Sequence, residues 1–211
     1  MQPSAIWALQ PVAEMTPAQF QDWQTLLEQR TGLVISEQRR AFLQTSLTAR
    51  MRELGLSDYS LYYQQVLEGP RGAVEWSTLL DRLTVQETRF FRHPPSFDVL
   101  REYLEGRLER EGVPRPWTLW SVGCSSGEEP YSMAICAAEV LKDSEWAGQF
   151  GVTGTDISLN ALNKAREASY AARRLEQLDG ELCERYFAVR EDGRFQVVPA
   201  LTERVCCARL N

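Results

Sequence analysis

The stretch Thr118-Leu119-Trp120-Ser121-Val122-Gly123-Cys124-Ser125-Ser126-Gly127-Glu128-Glu129-Pro130-Tyr131-Ser132 organises the chain. Leu119, Trp120 and Val122 carry the aromatic and β-branched bias of a buried strand. Gly123, Ser125, Ser126 and Gly127 follow as a loop of very small side chains. Glu128, Glu129 and Pro130 then stand where a helix begins, Pro130 being tolerated because a first-turn N–H has no intrahelical partner. Tyr131, Met133, Ala134 and Ile135 carry the helix on. Strand, small-residue turn and helix together make the nucleotide-cradling unit of doubly wound α/β domains.

Charge narrows what such a unit would hold. Pyrophosphates are cradled by bare helix N–H groups, often with a lysine beside them. This turn offers two carboxylates and no base. Two like unit charges about 4 Å apart repel by roughly 4 kcal/mol at an effective dielectric near 20, a poor cradle for phosphate. A ligand with an ammonium and a sulfonium beside an adenosine suits it, which describes S-adenosylmethionine (SAM). The plainer alternative is that Glu128 and Glu129 only complement the helix macrodipole. The loop alone supports both.

Composition sets the frame. The 211 residues are 44% hydrophobic and 25% charged, enough for one proper core or two small ones, and the net charge of −6 argues against a general nucleic-acid binder. Cys124, Cys136, Cys183, Cys206 and Cys207 form no CxxC pair, and His93 is the one histidine that might join them in a metal site. An odd cysteine count without metal spacing fits a reducing cytosol. No charged-then-apolar leader and no long apolar run appears, so we expect a cytoplasmic protein.

Along the chain, residues 1–15 read as a loose lead-in. Thr16 caps a helix with Pro17 at its first position and Phe20, Trp23, Leu26 and Leu27 at helical spacing. A second helix from Ser36 carries Phe42, Leu43, Leu47, Met51 and Leu54. A third, from Ser57 to Glu68, is built on Leu61, Tyr62, Val66 and Leu67. Gly69-Pro70-Arg71-Gly72 is expected to break it before a fourth from Ala73 to Leu83. An all-α domain over 16–83 results. Arg39, Arg40, Arg50 and Arg52 form an acid-free run within it, either a solvated face or a docking surface for an acidic partner.

A linker follows over 84–97, where Pro94-Pro95 predicts an extended or turning segment. Asp98 to Glu111 is amphipathic. After the organising helix, Phe150 to Asp156 reads as a second strand ending in an acid, the position that bonds ribose hydroxyls in dinucleotide folds. Asp156 competes for that role with capping the next helix. Ser158 is the rival cap, which leaves Asp156 freer for a ligand. Phe187, Val189, Phe195 and Val197 around Glu191-Asp192-Gly193-Arg194 predict an antiparallel hairpin within 184–199.

These stretches together resemble the CheR family of SAM-dependent chemotaxis-receptor methyltransferases. The family's linker, N-x-T-x-F-F-R, is similar to Gln86-Glu87-Thr88-Arg89-Phe90-Phe91-Arg92, and its S-x-G-E-E-P-Y-S loop to Ser125–Ser132. Thr155-Asp156-Ile157, Leu162, Ala165, Tyr170 and the segment 50–55 match as well. The resemblance implies an all-helical N-terminal domain, then a partial Rossmann-like methyltransferase domain over 98–211 with a small antiparallel β-subdomain. It implies SAM as cofactor, contacted by Gln86, Thr88, Arg92, Glu129, Asp156 and Asn211, with Arg92 also arranging the active site. It implies transfer of a methyl group to glutamates of a methyl-accepting receptor's helical bundle, docked by Arg39, Arg40, Arg50 and Arg52. A SAM-binding adaptor without turnover is the rival.

Three departures accompany the resemblance. Gln86 replaces the family's Asn, and Ser46 stands where an Arg is usual. The sequence also stops at Asn211, before the family's next strand and its active-site Tyr. We therefore expect a piece of a longer protein, with an open apolar edge along Leu119–Val122.

Overall fold

The computed structural model describes residue 12, residues 14–84 and residues 87–211. Gln86 and most of the expected lead-in lie outside the described residues. The chain divides into two compact units, one on each side of the 85–86 junction.

The first unit is helical. Thr16 accepts from the Gln19 N–H while the Gln19 side chain accepts from the Thr16 N–H, a reciprocal box that starts α1 (Pro17–Thr31). A single 3₁₀ turn (Glu37–Arg39) leads into α2 (Arg40–Glu53). Asp58 caps α3 (Tyr59–Leu67), so its buried stripe runs through Tyr59, Tyr62 and Val66. Leu61 and Leu67, expected inward, are exposed. The third helix does end just before Gly69–Gly72, but that stretch is already the first turn of α4 (Gly69–Leu83) rather than a loop, because Pro70 falls where no N–H is needed. Gly72 sits so near α3 that a Cβ would stand 2.8 Å from the Val66 carbonyl oxygen. Trp23, Leu27, Leu43, Leu47, Met51, Leu79 and Leu80 fill the core between these helices.

In the second unit, α5 (Pro94–Glu111) begins at the double proline itself. Both prolines fall in the first turn, where their missing donors cost nothing, so the expected extended segment is helix. β1 (Trp117–Val122), α6 (Glu128–Leu141) and β2 (Phe150–Asp156) form a strand–helix–strand unit with β1 and β2 parallel and Trp117 opposite Phe150. The crossover that parallel pairing demands is α6. After β2 come α7 (Leu159–Glu167), β3 (Ser169–Tyr170), a 3₁₀ turn (Ala172–Arg174) and α8 (Gly180–Tyr186).

The expected hairpin is β4 (Phe187–Val189) with β5 (Phe195–Val197), and β3 joins its other side, giving the antiparallel order β3-β5-β4. A short α9 (Pro199–Thr202) precedes β6 (Val205–Arg209), which pairs parallel with β2. The parallel sheet is ordered β1-β2-β6, so β1 is an edge among the described strands, with Trp120 and Val122 exposed. Phe90 from the linker is buried against Tyr170 and Phe187, both edge-to-face, which fastens the segment before α5 onto the small sheet. No helix among the described residues is long and apolar enough to cross a membrane.

Candidate functional site

The site is built where β1 and β2 end side by side. The Gly123 and Cys124 N–H groups both donate to the Thr155 carbonyl, at 2.8 and 2.9 Å, so the loop after β1 is laced to the end of β2. Asp156 completes the lacing. One carboxylate oxygen accepts the Ser125 N–H at 2.8 Å and the other the Ser158 N–H at 2.9 Å. Ser158 does cap α7, through the Ala161 N–H. Asp156 is not thereby left freer, as expected, because it staples the loop instead. A carboxylate has about four lone-pair sites, so these two bonds do not exhaust its capacity to accept.

The two glutamates at the start of α6 part company. Glu128 is buried, accepts from the Ser126 hydroxyl at 2.7 Å and has Arg174 at 3.6 Å. Glu129 is exposed and accepts from Ser121, a fully buried hydroxyl on β1, at 2.7 Å. The repulsion argument therefore rests on Glu129 alone. Arg174 also supplies a base near the loop that sequence reasoning did not see. It is already spoken for, since its guanidinium also donates to the Thr88 carbonyl.

Two further features fit SAM. The Ser125 hydroxyl is buried in the loop with no hydrogen-bond partner among the described residues. A buried polar atom of this kind calls for a ligand or water contact. Gly123, at φ +75°, has nothing within 4 Å of where a Cβ would stand, so a ligand can approach its backbone closely. The loop is flanked by the Glu129 carboxylate, held on Ser121 of β1, and the Asp156 carboxylate, held on the Ser125 N–H.

The other expected cofactor residues are placed unevenly. Asn211 lies two residues beyond the end of β6, and the intervening Leu210 N–H donates to the Asp156 carbonyl, which brings Asn211 close to the loop. Thr88 is tied in through Arg174. Phe91 is held by its N–H on the Ser132 hydroxyl, itself bonded to the Glu128 carbonyl. Arg92 is exposed, its guanidinium on the Glu87 carbonyl at 2.6 Å and 3.6 Å from the Glu87 carboxylate. Among the described residues it pairs with none of the loop carboxylates. Ser121, Ser125 and Arg174 were missed; only a serine at an inward strand position carried any signal for the first.

The basic run of the helical unit divides as well. Arg50 makes two parallel bonds to Glu75, at 2.8 and 2.7 Å, and a third to Glu53. Glu75 is 5% exposed and also accepts from the Tyr62 hydroxyl. Arg50 is thus committed inside its domain rather than offered to a partner. Arg40 bonds the Met15 carbonyl and Glu37. Arg39 and Arg52 are exposed, the former lying over the Phe42 ring.

Residues 18–84 match the family described as CheR methyltransferase, all-alpha domain, and residues 86–211 the CheR methyltransferase, SAM binding domain. Among similar proteins, each named chemotaxis protein methyltransferase, that of Salmonella typhimurium is 34% identical over 82% of this chain and 57% of its own length. That of Escherichia coli is 32% identical over 93% of this chain and 67% of its own. That of Klebsiella aerogenes is 32% identical over 97% and 68%. The chain therefore spans between about half and two thirds of the relatives it matches.

Proposed function

The chain belongs to the CheR methyltransferase family, with a SAM-binding domain over residues 86–211, and from that premise we propose that it methylates glutamate side chains of a chemotaxis receptor. The product is the glutamyl methyl ester, formed in the cytoplasm on the receptor's helical bundle. The observation that supports this reading is the loop, where the Glu129 and Asp156 carboxylates stand on either side of an open backbone at Gly123.

When bound, SAM supplies an electrophilic methyl group. Glu129 would hold its ammonium and Asp156 its ribose, with Ser125 and Asn211 completing the contacts. An acceptor glutamate has an ordinary pKa near 4.3 and is ionised at neutral pH, so the protein needs no general base. What the residues must do is hold the carboxylate in line and exclude water. We assign Arg92 to the incoming carboxylate, for which it would leave Glu87; a charge-assisted pair of this kind is both strong and directional. Of the basic run, Arg39 and Arg52 are the exposed cations left to steer an acidic receptor.

Transfer of labelled methyl from SAM to an acidic coiled-coil receptor, as base-labile label, tests the reaction. Binding of SAM and receptor without transfer would instead favour an adaptor. Calorimetry tests the site. Glu129→Gln is expected to weaken SAM binding about 10- to 100-fold, the loss of one charge-assisted contact. Asp156→Ala should weaken it at least as much, since the loop staple goes too. Asp156→Asn, which keeps one acceptor oxygen, should fall between Asp156→Ala and wild type. Wild-type affinity in Glu129→Gln and Asp156→Ala alike refutes the site.

A further inference from the structure

A cleft of about 370 Å³ opens on the second unit where the start of α6, the end of α7, β3 and the turn before β5 meet. Lys164, Arg173, Arg174 and Arg194 line it against two carboxylates, Glu128 and Glu167, in a chain whose net charge is −6. Their commitments differ. Arg174 is engaged with Thr88 and buried Glu128. Arg194 is anchored by Nε on the Ser169 hydroxyl at 2.9 Å and by Nη2 on the Ser169 carbonyl, which fixes its plane and leaves Nη1. Lys164 and Arg173 are exposed and enter no ion pair among the described residues.

We propose that this cleft binds carboxylate side chains of an acidic polypeptide segment, as a second contact for the substrate protein beside the cofactor loop. The inference rests on the functional reading above and adds a place to it. Three physical points carry it. A guanidinium pre-set by Ser169 presents a donor to a carboxylate at little entropic cost. The cations come from separate elements, α7, the 3₁₀ turn and the hairpin turn, so they suit single charges spaced along a chain better than one compact anion. Ser126 and Glu128 form part of the wall, and the next residue, Glu129, belongs to the cofactor site. A helix carries neighbouring carboxylates about 5–6 Å apart on one face, so one polypeptide can fill the cleft and present another residue to the loop.

The test is fluorescence anisotropy with a labelled helical peptide carrying glutamates at i, i+4 spacing, added to the full-length protein. Lys164→Glu/Arg173→Glu is expected to weaken peptide binding about tenfold and to flatten its salt dependence, as reversal of rim charges does. Its thermal midpoint and SAM affinity should stay at wild-type values, because neither side chain is bonded within the fold. Arg173→Ala should lie between the double variant and wild type. Peptide affinity unchanged in the double variant overturns the proposal. So does inorganic phosphate that displaces the peptide far better than chloride at equal ionic strength, which would mark a small-anion site. A wild-type protein that binds the peptide through this cleft yet transfers no labelled methyl supports the cleft and removes the proposed reaction instead.

Discussion

Arg50→Ala is expected to destabilise the helical unit by about 3–5 kcal/mol, because it strands a buried carboxylate. Glu75 is almost fully enclosed, and its charge is balanced by two parallel Arg50 bonds and one from Tyr62. Burial alone would push the Glu75 carboxyl up, but the Arg50 and Tyr62 hydrogen bonds outweigh it and hold it below the usual range. A depressed carboxyl contributes stability above its unfolded value, near 4.3, and loses it as pH falls through the folded value. In Arg50→Ala the remaining balance reverses, since burial then dominates. The gap between variant and wild type should therefore narrow as pH falls from 7 towards 4. Urea unfolding across that range measures both effects. A loss below about 1 kcal/mol, with no narrowing, would make Arg50 an ordinary surface charge after all. Arg50→Met/Glu75→Leu should recover much of the loss, because removing both partners leaves nothing unpaired.

Arg50 also marks where sequence reading stops. A run of four arginines without an acid looks like one surface, yet α2 turns one of them towards a glutamate 25 residues away. Local chemistry was readable. The Thr16 cap, the strand before Gly123, the acid ending β2 and the 187–197 hairpin each depend on residues close in sequence. Proline was misjudged at Gly69–Gly72 and Pro94–Pro95, since the same residue that ends a helix also starts one. The two-residue β3 has no periodicity to detect. At the candidate site, Glu128 and Glu129 are adjacent in sequence, yet one is buried and the other exposed, and the buried one is paired with a residue far along the chain. Arg174 reaches Glu128 and Thr88, the latter 86 residues away. Residue types and helix starts do not encode such pairings; packing of the small sheet against the linker does.

Packing is also why Gly127→Ala should damage the second unit more than any other small change in the loop. Gly127 sits at φ +95°, and a Cβ there would stand 2.8 Å from the Tyr170 hydroxyl and 2.9 Å from the Ala165 Cβ. Left-handed backbone costs an L-residue about 1–2 kcal/mol, and forcing a methyl into a filled space adds about 1–3 more. The neighbours cannot step aside cheaply. Tyr170 donates to the Ser126 carbonyl at 2.9 Å and lies edge-on to Phe90, while Ala165 belongs to the backbone of α7. Relief would lift the start of α6, and Glu129 with it. Gly123→Ala supplies the contrast. Its φ of +75° carries the same backbone cost, but its Cβ meets nothing within 4 Å. Thermal melts should rank Gly127→Ala well below Gly123→Ala, by several degrees in midpoint. SAM titration should find Gly123→Ala impaired beyond its small stability loss, since its methyl enters the space a ligand would approach. Equal midpoints for the two variants would mean that Gly127 is there for its backbone angle alone, and that the cofactor loop is not seated on Tyr170 and α7.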